Sequence, residues 1–370
     1  MRASLGTAIA VAFSLSSAQA SALESRSYVM TAFWHAMDSS DRDCPDGLNP
    51  KIKEQYEQNL AALGFSAREI ASLMEGYVEG EEGGWDKDRV GKLMHYRGRI
   101  DGKPVNGFVH PYAVVDPKLK VSQSKTAYGF NLDGQVSPDD FQDPLSAEKG
   151  VDHEMARIMG CIEPMRAKLQ EGSAFWQFMW TAIKGIAPAW TITLSGEDLS
   201  KDGPVTISIG RAMEPAKYNG NGSARSNMTF RADPDPRING NVYAGQIKDG
   251  LVTITAPGPY RNLSDALLFP RFEMENFHVR LRMNADGSLD GLIGGYQPIE
   301  HIYFALGNGN FDSENNFSPE LPGMYHLMRR YADAGEKDGA NWSISATYYI
   351  QAVPAFVVPL KPASTAGAAR

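Results

Sequence analysis

A polar loop near the middle of the chain, FNLDGQVSPDDF, carries residue types that bind divalent cations. Calcium takes about six to eight oxygen ligands, which acidic side chains, amide side chains and backbone carbonyls supply. Gly134 permits a sharp turn within the loop, and a further aspartate stands at the start of the next predicted helix. We therefore predict a calcium site from six residues: Asn131, Asp133, Gln135 through its carbonyl, Asp139, Asp140 and Asp152.

The loop also has an interpretation without metal. It departs from an EF-hand at the last ligand position, where Gln142 stands in place of glutamate. The same residues make two ordinary turns, and Asp152 suits a helix N-cap. A second polar loop, GNGNFDSENNF, offers oxygen ligands at alternate positions but lacks the turn glycine: Asn308, Asn310, Asp312 and Glu314. The sequence leaves both interpretations open for each loop.

A second candidate site lies in GGYQPIEHIYF, just past a predicted strand. Paired glycines permit close backbone approach, and a polar and aromatic cluster follows them. We predict that this cluster lines the mouth of a ligand site: Tyr296, Gln297, Glu300 and His301. The structural alternative is a strand exit followed by a helix with Pro298 in its first turn. Aromatic residues of the same half either line a concave sheet or form its core: Trp190, Tyr243, Tyr260, Phe269, Tyr348 and Tyr349.

Motifs for nucleophilic or cofactor chemistry are absent from the sequence. There is no G-x-S-x-G elbow, Walker loop, G-x-G-x-x-G fingerprint or C-x-x-C-H haem site, so no haem, nucleotide or flavin is predicted. VDHEMAR lacks the second histidine of a zinc protease, because Arg157 occupies that position. The two carboxylates of a glycoside hydrolase need only be close in space, and no sequence spacing identifies them. A hydrolase of this type is therefore an open alternative.

The N-terminus predicts export. Arg2 and an apolar run, Leu5 to Leu15, precede an Ala18-Gln19-Ala20 cleavage pattern, so residues 1–22 are expected to be a signal peptide. We expect cleavage after Ala20 or Ala22 and a periplasmic or secreted protein, with no later membrane-spanning segment. The net charge of −8 argues against nucleic-acid binding.

Two cysteines, Cys44 and Cys161, are expected to form one disulfide in an oxidising compartment. The loop closed by this bond is long, which corresponds to a stabilisation on the order of 4 kcal/mol in the chain-entropy model. Two separate buried thiols are the alternative.

The elements that position these residues suggest an α+β protein. The segment SYVMTAFWHAM predicts a strand at the start of the mature chain. Helix signals after it, such as the capping box of Ser66 and Glu69, predict a mixed, helix-rich N-terminal half over residues 23–187. Period-two segments and an Asp286-Gly287 hairpin turn predict an antiparallel β-rich half over residues 188–358, as a sandwich, barrel or bent sheet. The tail, residues 359–370, is expected to be disordered.

Four segments carry a resemblance: VRLRMNADGSLDGLIGGYQP, MYHLMRRYADA, ISATYYIQAVPAFVV and GVDHEMARIMGC. They resemble a family of exported bacterial proteins whose biochemical function is uncharacterised, so the resemblance transfers no catalytic residue. Relatives look richer in cysteine, and the retention of only two here fits their pairing with each other. We therefore expect an exported, non-catalytic binding or structural protein of the cell envelope, with a small-molecule or envelope partner. The alternative is a secreted hydrolase that uses paired carboxylates or a bound divalent metal.

Overall fold

The computed structural model describes residues 23–78, 83–262, 271–307, 311–317 and 320–360. The predicted signal peptide lies outside the described residues, as does the tail from residue 361. The strands are β1 (Glu24–His35), β2 (Gly98–Ile100), β3 (Lys103–Val105), β4 (Phe141–Gln142), β5 (Lys149–Val151), β6 (Pro188–Gly196), β7 (Gly203–Pro215), β8 (Met228–Arg231), β9 (Asn241–Lys248), β10 (Leu251–Ile254), β11 (Gly258–Asn262), β12 (Phe272–Met283), β13 (Leu289–Pro298), β14 (Ala334–Lys337) and β15 (Ala340–Val358).

The helices are α1 (Ile52–Ala62), α2 (Ala67–Leu73), α3 (Lys87–His95), α4 (Glu154–Met159), α5 (Ala174–Ile183), α6 (Pro236–Asn239), α7 (Ile299–Gly307), α8 (Phe311–Phe317) and α9 (Leu321–Tyr331). Among the described residues, no helix is long and apolar enough to cross a membrane.

Eight antiparallel strands form a closed barrel in the order β1-β6-β7-β9-β10-β12-β13-β15, with β15 pairing back to β1. The strand β14 extends the sheet beside β15, β8 runs parallel to β15, and β11 pairs with β12. Alternation in the sequence explains which side chains face inward. In β12, Phe277, Val279 and Leu281 are buried, whereas Arg280 and Arg282 point outward.

The predicted helix-rich N-terminal half is wrong. Helix accounts for only 25% of the structure, and the first described element is a strand of the barrel. This strand, β1, pairs with β15 on one side and with β6 on the other, so it closes the barrel. The predicted capping box is confirmed at α2, where the Ser66 hydroxyl accepts a hydrogen bond from the Glu69 amide. The helices between β1 and β6 are at most eleven residues long, and α4 and α5 pack against the barrel strands β15 and β1.

Aromatic rings fill the barrel interior. Phe33 stacks on Tyr348 with ring centroids 4.5 Å apart, and Phe272 and Trp190 pack against Phe33 at 5.4 and 5.0 Å. Helix α5 contributes Trp176, whose ring lies 6.1 Å from that of Tyr348. The sheet aromatics Tyr243, Tyr260 and Tyr348 are buried and therefore form core, while Phe269 lies outside the described residues.

The predicted disulfide between Cys44 and Cys161 is confirmed, with Cα atoms 5.8 Å apart. It joins the segment that follows β1 to the residues that follow α4. The amide of Asn49 next to this bridge donates to the Cys161 carbonyl at 2.9 Å, so the two segments are also hydrogen-bonded.

Candidate functional site

The acidic loop is closed by its own side chains. Asn131 accepts a hydrogen bond from the Gly134 amide at 2.7 Å and donates to the Gln135 carbonyl at 2.6 Å. Gly134 has a positive φ of 75°, which suits this tight turn. A Cβ on Gly150 would stand 2.2 Å from the Gln135 carbonyl oxygen, so only glycine fits beside the loop. The turn itself therefore follows from residues of the loop, and Gly150 leaves the space that it occupies.

Four of the six predicted ligand residues line one open cleft of about 690 Å³: Asp133, Asp139, Asp140 and Asp152. Tyr296, predicted for the other site, lines the same cleft from β13. The opposite wall comes from the end of α9 and the turn after it, with Tyr331 and Asp333. Two separate sequence predictions thus meet at one place in the fold.

Asp152 follows β5 and is partly buried at the cleft wall. Its carboxylate accepts hydrogen bonds from the amides of Leu132 at 2.7 Å and Asp133 at 3.3 Å. Burial raises the pKa of Asp152 to about 6, and the charges of Asp133 and Asp140 raise it further, against the two amide bonds that lower it. A group with this pKa exchanges its proton near neutral pH.

Asp333 lies on the opposite wall and is tied to the barrel by Ser345. The Ser345 amide donates to Asp333 at 2.8 Å, and the Ser345 hydroxyl accepts from the Glu154 amide at 2.8 Å. Burial raises the pKa of Asp333 to about 7, helped by the charges of Glu154 and Asp152. The Asp333 residue is nevertheless exposed to solvent, so water screens its carboxyl and moderates this rise in pKa.

Glu154 and Arg157 form an ion pair on the floor of the cleft, with Nε and Oε2 2.7 Å apart. Burial raises the pKa of Glu154 and the Arg157 charge opposes that rise. Arg330 pairs with Asp116, and Lys125 lies 3.9 Å from Asp139. The cations at the cleft are therefore already engaged with carboxylates.

Four carboxylates of the cleft have no cationic partner within the part of the chain that the structure describes: Asp133, Asp140, Asp152 and Asp333. Their hydrogen bonds come from backbone amides and, for Asp333, also from Ser345. This surplus of negative charge is the main chemical property of the cleft.

The predicted calcium ligands are only partly brought together. Asn131 and Gln135 bond to each other and are not part of the cleft lining, and the Asp139 side chain is 96% exposed. Across the described residues, no group of three or more His, Cys, Asp or Glu side chains is arranged to hold a metal ion. The cleft therefore collects acidic residues without presenting a closed coordination shell.

The remaining predicted rim residues lie elsewhere. Gln297 is buried in the barrel and accepts a hydrogen bond from the Tyr348 hydroxyl at 2.6 Å. Glu300 is exposed in the first turn of α7, and His301 lies 3.9 Å from Glu273. Only Tyr296 reaches the cleft, because β13 ends at Pro298 and α7 turns the next residues away.

In the second polar loop, Asn308 and Asn310 lie outside the described residues. Asp312 pairs with Lys87 at 2.9 Å. Glu314 is fully buried and binds Arg97 at 2.9 Å, while Glu320 binds the same guanidinium at 2.7 Å. Asp312 and Glu314, the two described residues of this predicted site, therefore both act in ion pairs.

Sequence reasoning missed Asp333, Glu154 and Tyr331 as cleft residues. Asp333 follows a helix in a segment rich in turn residues, and Glu154 is an ordinary first-turn glutamate. No local pattern distinguishes them from solvated residues, because their roles depend on β15 bringing Ser345 between them.

Comparison with known proteins adds no family. No protein-family model, no curated protein and no solved structure matches this chain.

Proposed function

We propose that the chain is an exported, non-catalytic binding protein of the cell envelope, and that the acidic cleft binds a small organic cation. The observation that carries this proposal is the set of four carboxylates without a cationic partner among the described residues: Asp133, Asp140, Asp152 and Asp333. The disulfide supports the exported location, since such bonds persist in oxidising compartments.

A bound cation would offset the electrostatic repulsion among the carboxylates of the cleft. The raised pKa values of Asp152 and Asp333 reflect carboxylates that are both desolvated and mutually repelled. A bound positive charge stabilises their ionised forms. Tyr296 and Tyr331 add aromatic faces to the lining, and such faces attract alkylammonium groups. The volume of about 690 Å³ suits an organic molecule better than a bare ion.

Calcium is kept as a second proposed occupant of the same cleft. Asp133 and Asp140 lie in one loop, Asp152 follows β5, and the charges of Asp133 and Asp140 act on Asp152. Calcium would need further oxygens from water or from a shift of the loop, because it takes about six to eight ligands.

Titration calorimetry at pH 8 and low salt, with spermidine and with calcium chloride as probes, tests the proposal. We expect spermidine to bind, and we expect Asp152→Asn and Asp333→Asn each to weaken binding about tenfold through loss of one charge pair. Binding should also weaken below about pH 6, since the two carboxyls then take up protons.

The matched control is Asp101→Asn, which removes one negative charge from the turn between β2 and β3 and should leave affinity unchanged. Asparagine tolerates the positive φ of 49° at that position. The cationic site would be contradicted if neither probe bound measurably. It would also be contradicted if Asp152→Asn, Asp333→Asn and the control all bound with the affinity of the parent. Calcium binding without spermidine binding would select the second occupant.

Hydrolysis is a second candidate function, favoured by the raised pKa values of Asp152 and Asp333 in one cleft. A protonated carboxyl and an ionised one provide a general acid and a general base. A hydrolase would turn over nitrophenyl glycosides with an activity optimum between about pH 6 and 7. Loss of this activity in Asp152→Asn would establish the hydrolase function. Cation binding without turnover would support the binding protein.

A further inference from the structure

A second, larger groove of about 1040 Å³ lies on the outer wall of the barrel. Its floor is formed by outward-facing side chains of β12, β13, β15 and β1, and its sides by residues 145–146 and 168–171. None of its lining residues lines the acidic cleft. The groove is therefore a separate site on the same molecule.

A hydrogen-bond network fixes the polar side chains of the floor. Asp290 accepts from Asn284 at 2.6 Å and from the Tyr349 hydroxyl at 3.0 Å. The Gln351 side-chain amide donates to the same hydroxyl at 3.3 Å, and the Thr31 hydroxyl donates to the main-chain carbonyl of Gln351 at 3.3 Å. Because each side chain is held by its neighbours, the floor is preorganised for a ligand.

The network leaves acceptors open toward the groove. Each Asp290 oxygen receives one hydrogen bond from the protein and keeps a second lone pair. Asn284 and Gln351 use their amide nitrogens in the network, so their amide oxygens stay available. A ligand that donates several hydrogen bonds from closely spaced groups matches these acceptors.

Arg282 supplies the complementary donors. It stands opposite Asp290 in the pairing of β12 with β13, yet it is exposed, and its guanidinium has no hydrogen-bond or ion-pair partner among the described residues. Arg280 differs, since Asp143 and the Gly129 carbonyl hold its guanidinium above the Phe130 ring. Donors and acceptors side by side are what a hydroxyl group recognises, because it both donates and accepts.

The barrel wall excludes recognition of a peptide by strand addition. The four floor strands are consecutive members of the closed barrel, so each pairs on both sides. An extended peptide would find no free strand edge there and would have to bind through its side chains alone. The groove instead offers planar polar side chains beside accessible apolar ones, Leu145 and Val353. This combination suits the polar edges and apolar faces of sugar rings.

We propose that this groove binds a saccharide chain, with Asp290, Asn284 and Gln351 accepting from its hydroxyls and Arg282 donating to them. The site is independent of the proposed cation cleft. Neutral and uronic saccharides share the hydroxyl chemistry, and the choice between them depends on what Arg282 contacts.

Titration calorimetry with the full-length protein tests the proposal. The probes, titrated separately, are cellohexaose, chitohexaose and tri-galacturonate. We expect at least one of them to bind, and both Arg282→Gln and Asp290→Asn to weaken that binding about tenfold, as the loss of a hydrogen bond to a charged group does. Arg68→Gln, which removes an exposed arginine from α2, is the matched control and should bind like the parent.

Binding of any of the three saccharides supports the proposed site if both variants weaken that binding. If tri-galacturonate is the only one that binds, its carboxylates are assigned to Arg282. Arg282 is exposed, so its variant tests the site even if Asp290→Asn fails to fold. The proposal is overturned if all three probes have Kd values above about 5 mM. Binding that neither variant changes overturns it equally.

Discussion

At the scale of single residues, Asp152 shows how a tertiary neighbourhood changes an ordinary turn aspartate. Its carboxylate holds the loop through the amides of Leu132 and Asp133, and burial beside other acids raises its pKa to about 6. The same side chain thus stabilises the loop by hydrogen bonding, and near pH 6 it is partly protonated. A bound cation would favour loss of that proton. This combination favours a binding role that depends on pH.

The pH dependence of stability tests this view. The folded pKa of Asp152 is about 6, above the ordinary value of 3.8, so the folded state holds more protons than the unfolded state between those values. Stability of the parent should therefore fall as pH rises from about 4 to about 6, by on the order of 1 kcal/mol after solvent screening. Asp152→Asn should lack this contribution, because its oxygen still accepts the amide bonds but does not titrate.

Urea unfolding of the parent and of Asp152→Asn at pH 4.5 and 8 measures the difference. The free energy of unfolding of the parent should drop relative to that of the variant at the higher pH. Parallel pH profiles for the two proteins would show that Asp152 titrates as a normal aspartate.

At the scale of elements, a buried ionic cluster joins three helical segments beside the barrel. Arg97 follows α3, Glu314 lies in α8 and Glu320 caps α9, and all three side chains are at most 3% exposed. Burial opposes the charge of Arg97, but Glu314 and Glu320 outweigh it and raise the Arg97 pKa. Burial also raises the pKa of Glu320 to about 7. The helices are thus positioned by charge as well as by apolar packing.

Replacing Arg97 with methionine should destabilise the protein by about 3 to 5 kcal/mol, because two buried carboxylates would lose their cation. Chemical denaturation measures this change. Arg99→Met is the control: Arg99 is exposed and bonds only backbone carbonyls, so its loss should stay within about 0.5 kcal/mol. Equal stability of the two variants would mean that the cluster contributes no more than a surface arginine.

At the scale of the whole molecule, closure of the barrel depends on its first strand. The strand β1 joins β6 to β15, and Phe33 from β1 enters the aromatic interior. The chain after β1 is then held by Cys44–Cys161, which ties it to the end of α4, the helix whose Glu154 and Arg157 line the acidic cleft. Barrel closure and cleft formation therefore share one covalent link.

Removal of the disulfide in a Cys44→Ser/Cys161→Ser variant should lower the free energy of unfolding by about 4 kcal/mol in the chain-entropy model. Denaturant titration checks this value, and the parent under reducing conditions should reproduce it. A variant as stable as the oxidised parent would show that hydrogen bonds such as that between Asn49 and Cys161 suffice to hold the two segments.

Local sequence was enough to predict several features of this protein. The turn at Asp286-Gly287, the capping box at Ser66 and the alternating faces of β12 depend on neighbours close along the chain, so pattern alone reveals them. The Cys44–Cys161 pairing was predictable because only two cysteines are present. The acidic loop was recognisable from its composition, although its ligand residues were only partly assigned.

Only the tertiary structure decided that β1 belongs to the barrel, since its partners β15 and β6 lie far along the chain and its sequence resembles any strand. The same holds for the cleft, where Asp333 gains its environment from Ser345 of β15, and for the outer groove, where the β12–β13 hairpin meets Tyr349 and Gln351 of β15. Charge type and local turns are properties of the sequence, whereas burial and proximity arise when distant segments pack. Burial and proximity determine both the raised pKa values and the shape of the two proposed sites.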